Sequence, residues 1–512
     1  MHVRLLLAAV ATLAPAAALA TPASLAAGSA GQPPPEWSAG TSDWPAHNHD
    51  LANTRATTDS AIDSRTVAKL APKWRFAFTG TSSFGAFAST PIVIGDTVYL
   101  QDLDSNVYAL DRATGTVRWK HRFAQANVGP NGVSYGWGRI YGATPTSAFA
   151  LDPRTGRLLW SRRLTRSGHE GIEIAPQLYD HTVLLSTVPS NVRGSYRPGA
   201  RGIVWALAAA DGRPRWSFDT VADGAKLWGN PGVNGGGGLW YPPAVDGAGR
   251  VFLAVANPAP FPGTKTQPNG SSRPGPNLYT DSLVAVDGRT GKLLWYRQAV
   301  PHDVRDYDLA ISPILTRLPV GGVVSEIVIT AGKMGKVYAY RAADGAPVWT
   351  AAVGRHENDE GPLPAQPVVV YPGTLGGVET PMALAGRRLF VPWVDLATHA
   401  SATSSNGIDP IRDGRGGLSA LDAASGKVLW RQRLPSPDFG AATVVNDVVF
   451  TSTYSGTTYA FATATGKLLW SAKARAGINA FPAPAGKLLL VGAAAPGHFA
   501  HLHYELIAYS LP

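Results

Sequence analysis

Cysteine is absent from all 512 residues. That absence excludes disulfides, thiolate metal sites and the Cys-x-x-Cys-His attachment of a c-type haem. Stability must then come from packing, and any electron acceptor has to be a separate partner. Charge is also sparse: 16% of residues are charged against 45% hydrophobic, a globular rather than a disordered composition. The formal net charge is +10, yet Arg112, Arg154, Arg289 and Lys467 are scattered through turns and form no basic stripe. A nucleic-acid surface is therefore not predicted, while adhesion to an anionic cell envelope stays open. The N-terminal apolar run, Leu5 to Leu13, is too short to span hydrocarbon.

That run has a different meaning. Arg4 precedes it, and an alanine-rich stretch ending Ala18-Leu19-Ala20 supplies the small-x-small pattern of a signal-peptidase site. Residues 1–20 read as a signal peptide and 21–42 as a flexible mature N-terminus, with a second candidate cleavage after Ala30. Residues 43–512 read as one domain. The chain is predicted to be secreted or extracytoplasmic, in contact with the envelope or free of it, with no transmembrane domain after cleavage.

The strongest signal is internal repetition. Val107-Tyr108-Ala109-Leu110-Asp111, followed by Gly115 and Trp119, returns in six further copies that end at Trp160, Trp216, Trp295, Trp349, Trp430 and Trp470. Each copy alternates with period two, usually breaks at a turn carrying Asp and Gly, and resumes as a strand ending in Trp, which is a hairpin signal. Another strand pair lies upstream of each, giving four strands per unit. An eighth Trp, Trp74, has no blade before it, while the C-terminal strands near Leu488–Val491 and Leu506–Tyr509 lack a final Trp strand. The expected fold is all-β: an eight-bladed β-propeller of four-stranded antiparallel blades, closed by pairing of the N- and C-terminal strands. The repeated tryptophans are assigned to packing between sheets.

Chemistry is then sought where the innermost strands begin, because those positions converge on a central channel. A proline mark gives a ruler: Ala88, Glu173, Trp240, Ala310, Val378 and Phe481 each stand three residues before a proline, with Glu379 one residue from its mark. The ruler places Glu173 and Trp240 at the channel mouth. The loops Ala256 to Thr280 and Pro301 to Leu309 can cover it. His356, Asn358 and Asp359 lie in a polar loop that could line a substrate entrance, but at no recognised metal spacing; His302 and Asp303 could form a local pair.

Several stretches are more specific than a propeller requires. These are Asp43-Trp44-Pro45 with Asn48, Asp50 and Asn53, Gly235-Gly236-Gly237-Gly238-Leu239-Trp240, Ala256-Asn257-Pro258, Asn277-Leu278-Tyr279-Thr280 and Pro301-His302-Asp303-Val304-Arg305-Asp306-Tyr307-Asp308, the most specific pieces of a similarity that covers nearly all the mature chain. In these the sequence resembles the pyrroloquinoline quinone (PQQ)-dependent alcohol dehydrogenases, including the polyvinyl alcohol dehydrogenase-like branch. The resemblance implies PQQ as cofactor, with Trp240 as the floor under its planar rings. It implies Asn257 as an amide ligand to calcium, Asp306 as the carboxylate that takes the alcohol proton, and Lys333 as the cation on the quinone oxygens. It also implies a small or polymeric hydroxy substrate.

The sequence departs from that pattern at three places. The family's adjacent cysteine pair cannot exist here, its cofactor-contacting Glu aligns with Ala88, and its metal-binding Glu aligns with Arg197. A guanidinium in place of a calcium carboxylate removes a ligand and adds a repelling charge, so calcium is possible but doubtful. Glu173 could supply a replacement oxygen to cofactor or metal, beside Asn257 and Asp306. Arg197 could instead bind a cofactor carboxylate directly. Two functions compete: a PQQ-dependent alcohol oxidoreductase with an external acceptor, favoured by Trp240, Asn257, Asp306 and Lys333 together, and a non-catalytic extracytoplasmic binding or assembly scaffold, favoured by Ala88 and Arg197.

Overall fold

The computed structural model describes residues 31–38, 42–194, 196–497, 499 and 501–512. The predicted signal peptide lies outside these residues, as does most of 21–42. Strands are short and numerous, and among the described residues the only helices are short 3-10 segments such as Pro35–Trp37. Eight sheets of four or more strands follow one another along those residues. The first contains Ile92–Ile94, Thr97–Gln101, Val107–Asp111 and Val117–His121, each paired antiparallel to the next. The sheet completed last takes Ala71–Ala77 from the N-terminal side, with Trp74 opposite Ala508 on Glu505–Ser510. The first strands of the first and last sheets lie side by side.

The expectation of a closed propeller of uniform blades is corrected by this pairing. The terminal strands do pair, but what they complete is one four-stranded sheet; among the described residues no sheet closes on itself. Each short ladder ends at its own edges and hands over to the next sheet by side-chain packing, not by further strand pairing. Nor is the strand count uniform. Ala56–Thr57 adds a parallel fifth strand to Thr443–Val445, and a three-stranded sheet, Val368–Val370, Thr398–Ser401 and Ser404–Ile408, stands outside the repeat. The supported architecture is an all-β, propeller-like array of mainly four-stranded antiparallel sheets.

The repeated tryptophans join neighbouring sheets in a regular way. Trp119 Nε1 donates to Pro153 O (2.9 Å), Trp216 Nε1 to Gly288 O (2.8 Å) and Trp349 Nε1 to Ala423 O (2.9 Å), each acceptor lying in the next hairpin turn. The ring lies flat on that turn's glycine: a Cβ on Gly156 would come within 2.5 Å of Trp119, and one on Gly291 within 2.6 Å of Trp216. Both glycines have φ near +70°, so the turn conformation and the ring contact each require the missing side chain. Trp74 treats Gly115 and Arg112 O in the same way.

The N-terminal arm crosses the first strands of several sheets. Its backbone carbonyls at Leu51, Ala52, Thr54 and Arg55 accept N–H groups of Val245, Leu315, Leu384 and Val444, which belong to four successive first strands. Arg55, fully buried, donates to the carbonyls of His47, Ala442 and Pro482 and to Asn48 Oδ1, Thr90 Oγ1 and Thr443 Oγ1. Those acceptors satisfy every direction of its fork without a carboxylate, and burial draws its pKa down to about 9. Residues 31–38 dock further out, where Glu36 accepts the N–H groups of Trp137 and Gly138.

Candidate functional site

A cavity of about 380 Å³, within the range of small-molecule sites, opens among the innermost segments of several sheets. Trp240, Tyr241, Lys333, Asp308 and Glu379 line it, with Ala88, Ala310 and Val378 from the proline ruler. Glu173 and Phe481, also marked by the ruler, do not line it; Phe481 is buried against His47 and Tyr241 instead. Trp240 is half-buried, and its Nε1 is closed off from solvent without a partner.

The charged wall is assembled from three loops. Asp303 accepts the N–H groups of Arg305 and Tyr307, both at 2.8 Å, and this tight turn leaves Asp306 at φ +68° with its carboxylate pointing inward. Fully buried Arg273 holds the turn from behind through Asp303 O, Pro260 O and Asn277 Oδ1. Lys333 sits on the turn after Val323–Ala331, its N–H on Asp308 O; Gly332 permits that approach, since a Cβ there would meet Asp308 O at 2.2 Å, and Gly377 packs as closely on the other side, where a Cβ would meet Lys333 O at 2.0 Å. Asn257 follows Arg250–Ala254 and gives its backbone N–H to Asp308 Oδ1 (2.9 Å) and its Nδ2 to Asp306 Oδ1 (3.0 Å).

Lys333 Nζ closes the cluster, 3.0 Å from Asp306 Oδ2 and 2.7 Å from Asp308 Oδ2. Burial alone would discharge this ammonium, but the two carboxylates outweigh burial and hold its pKa well above the ordinary lysine value. Burial pushes the Asp306 carboxyl well above the usual range, with Lys333 pulling against it. Glu379, across the cavity, is pushed by burial to about 7, again opposed by Lys333, and its Oε1 has no partner. Asp281, fully buried behind the cluster with both oxygens unpartnered, is pushed well above its usual value by burial and by Asp303 and Asp308. Tyr196 OH reaches Asp308 Oδ1 at 3.3 Å.

Hydrogen bonds thus join Asn257, Asp306 and Lys333, and Lys333 shares the cavity lining with Trp240, while Asn257 and Asp306 stand behind Lys333 and do not line it. Glu173 is buried with Oε2 unpartnered and its carboxyl pushed well up by burial, but among the described residues no hydrogen bond or ion pair joins it to Asn257, Asp306 or Lys333. Arg197 is half-exposed, donates to Arg193 O, and lines no part of the cavity. His356 bonds Asp359 and Val353 O, Asn358 bonds Val369 O, and His302 bonds Gly275 O and Asn269 O, so these side chains hold loops together. Asp308, Glu379 and Asp281 were not singled out from the sequence as site residues; only the ruler's mark beside Glu379 pointed toward one of them.

The comparisons with known proteins bear on this cluster. The chain matches the family model of the PQQ glucose/ethanol/alcohol dehydrogenase β-propeller domain over residues 44–138 and 165–381. The chain belongs to this family. It is 26% identical to a quinohemoprotein alcohol dehydrogenase of Comamonas testosteroni, over 86% of this chain and 70% of the relative. A polyvinylalcohol dehydrogenase of Pseudomonas sp is 25% identical, over 83% and 67%. The crystal structure of the Comamonas testosteroni enzyme superposes with TM-score 0.79 at 21% identity, covering 92% of this chain and 81% of that one, a likeness of fold. Residues 279–505 also match the model of the outer membrane protein assembly factor BamB. No helix among the described residues is long and apolar enough to cross a membrane.

The family's PQQ and calcium fit these residues unequally. The half-buried indole of Trp240, a cavity of suitable volume and one cation suit a planar, oxygen-rich molecule. Calcium asks for six to eight oxygen donors. Here the buried, unpartnered Asn257 Oδ1 is one such donor, but no group of three or more His, Asp or Glu among the described residues could hold a metal, and the Lys333 ammonium stands between the two nearest carboxylates. This donor set does not make a calcium cage.

Proposed function

We propose that the chain is an exported quinoprotein-like oxidoreductase that oxidises an alcohol or other hydroxy compound with PQQ bound in the central cavity, passing electrons to a separate acceptor. The observation that carries this reading is the chain of contacts from Asn257 through Asp306 to Lys333, which ends on the cavity that Trp240 walls. PQQ, when bound, supplies the hydride acceptor. The residues supply the rest. Trp240 offers a broad indole face for stacking. Lys333 places a fixed positive charge at the wall where negative charge develops on reduction. Asp306, its carboxyl raised by burial, takes the hydroxyl proton. Tyr241, Val378 and Ile311 add largely apolar surface to the cavity wall.

The test is quinone titration by absorbance and tryptophan fluorescence, with and without calcium, followed by turnover on an alcohol and sugar panel with an artificial acceptor. Trp240→Ala should lose much of the quinone affinity. Asp306→Asn should keep it while losing about 10²-fold or more in turnover. If Asp308→Asn alone abolishes turnover, Asp308, which lines the cavity itself, is the base. A second reading, an extracytoplasmic assembly scaffold, is favoured by the BamB-model match and the missing calcium cage. Failure to bind quinone under either condition would select it.

A further inference from the structure

Away from the cavity, a cleft of about 580 Å³ opens between the fifth and sixth sheets, lined by Arg355, Arg415, Arg431, Arg433, Asp395 and Trp393. The strand register explains why three of the guanidinia converge. Arg433 pairs with Gly417 and Arg431 with Ser419 across Val428–Leu434 and Arg415–Asp422, while Gly417 pairs with Trp393 and Arg415 with Asp395 on the next strand. Residues two apart, and those directly opposite, share one face of a sheet. Arg415, Arg431 and Arg433 therefore project from the same face, with Arg431 and Arg433 about 7 Å apart along the strand. Gly417 leaves room for the Trp393 ring to lie across that face, where a Cβ would meet it at 2.2 Å, and Trp393 Nε1 is held by Ser419 Oγ at 3.0 Å. The indole forms the floor.

These cations lack an ion-pair partner among the described residues, although Arg433 lies near enough to Asp395 to favour its charged form, in a protein that pairs many of its others. Arg112, Arg118, Arg201, Arg250 and Arg475 each have a carboxylate partner. Among the described residues no carboxylate forms an ion pair with Arg415, Arg431 or Arg433. Arg415 donates only to the carbonyls of Asp413 and Gly414, and Arg431 to Ser419 Oγ. Asp395, the one acid in the cleft, already accepts the Arg355 N–H at 2.7 Å, and Arg355 is itself occupied by Glu357 and the Tyr371 ring. Like charges on one sheet face repel. Three forks against one carboxylate leave an excess that a single carboxylate ligand would not neutralise.

We propose that this cleft is a binding site for a phosphate-type oxyanion carrying two or more charges, either a free phosphate compound or a phosphate-linked polymer. Guanidinium forks match tetrahedral oxyanions with parallel hydrogen bonds, and a concave wall with a flat floor suits a compact group better than an extended acidic peptide. The site is independent of the quinone reading, since none of its residues lines the central cavity.

The test is calorimetric titration of the full chain with inorganic pyrophosphate at moderate salt, compared with Arg431→Gln/Arg433→Gln. The exposed turn pair Arg154→Gln/Arg289→Gln serves as a control of equal charge change. One saturable site is expected, weakened at least about tenfold in the cleft variant and unchanged in the control. Thermal unfolding checks that the variant is folded; if it is not, Arg433→Gln alone is used. Tighter binding of long-chain inorganic polyphosphate than of pyrophosphate, lost in the same variant, identifies the polymer as the source; equal binding identifies the free compound. Equal loss in the control, no saturable binding of either probe, or preferential binding of polyglutamate overturns the proposal.

Discussion

Replacing Lys333 by methionine keeps an unbranched side chain, one heavy atom shorter, and removes the ammonium with its charge and its donors. Asp306 and Asp308 would then face each other across a buried space with no cation, although both are under 5% exposed. Removing one partner of a buried ion pair costs about 3–5 kcal/mol, because the charge left behind is uncompensated. Against a total stability of about 5–15 kcal/mol for a folded domain, that is a large fraction. The loss should also depend on pH. The Asp306 carboxyl is already pushed upward by burial, and Lys333 is what opposes the shift. Without the lysine the folded state holds its proton more tightly still, so over the interval above the ordinary aspartate value the native state binds more protons than the unfolded one. Stability of Lys333→Met should therefore fall as pH rises from about 4, with a limiting slope of about 1.4 kcal/mol per pH unit for that proton. Urea unfolding at several pH values, with reversibility checked, measures both quantities. A variant within about 1 kcal/mol of the parent at pH 8, with the same pH dependence, would refute the ion cluster as drawn.

Two further outcomes follow from the packing and from Glu379. Gly291→Ala should cost about 2–4 kcal/mol by urea unfolding, because it combines a positive φ with a Cβ 2.6 Å from Trp216; Gly321→Ala, at φ +58° with open space around it, should cost only the backbone share, so equal losses would remove the tryptophan contact from the explanation. Glu379, pushed to about 7 by burial, binds its proton more tightly in the folded state, so the parent loses stability as pH rises through the interval from the ordinary glutamate value to about 7; the stability of Glu379→Gln relative to the parent should increase from pH 5 to pH 8, and a flat difference would show that the carboxyl is solvated.

The sheet repeat was legible because three independent signals coincide in every copy: period-two alternation, an Asp-to-Gly turn and a terminal Trp. Trp74 could be assigned to the C-terminal sheet because each needed what the other had. The closed propeller was not a sound expectation, since pairing patterns in sequence identify neighbours within a hairpin and say nothing of how one sheet meets the next. Ala56–Thr57 escaped notice as a strand because two residues carry no periodicity. In the site, Asn257, Asp306 and Lys333 were found through their resemblance to a known pattern. Arg197 was placed by alignment alone, and its loop carries it to Arg193 O instead. Asp308 carries no such signal in the sequence, because its role depends on the φ of +68° at Asp306 and on the shared ammonium that both carboxylates meet.

That shared ammonium decides which substitution gives a clean test of proton transfer. Lys333→Met disturbs fold and chemistry together, whereas Asp306→Asn leaves Lys333 paired with Asp308 at 2.7 Å. The new amide can keep an oxygen toward Lys333, which turns its NH2 toward Asn257 Nδ2, donor against donor. Asn257 has a remedy: its Oδ1 is buried without a partner, so rotating the amide by half a turn presents an acceptor to residue 306. The exchange satisfies an orphan oxygen but takes Asn257 Nδ2 away from Pro258 O, its acceptor at 3.3 Å. Asp306→Asn should accordingly cost about 1–2 kcal/mol, the scale of one buried donor left without its acceptor. Unfolding of the variant beside the parent at pH 7 checks this. A loss of about 3 kcal/mol or more would mean that the Asp306 charge, and not Asp308, is what holds Lys333 in the wall, and any loss of turnover in that variant could no longer be assigned to a missing base.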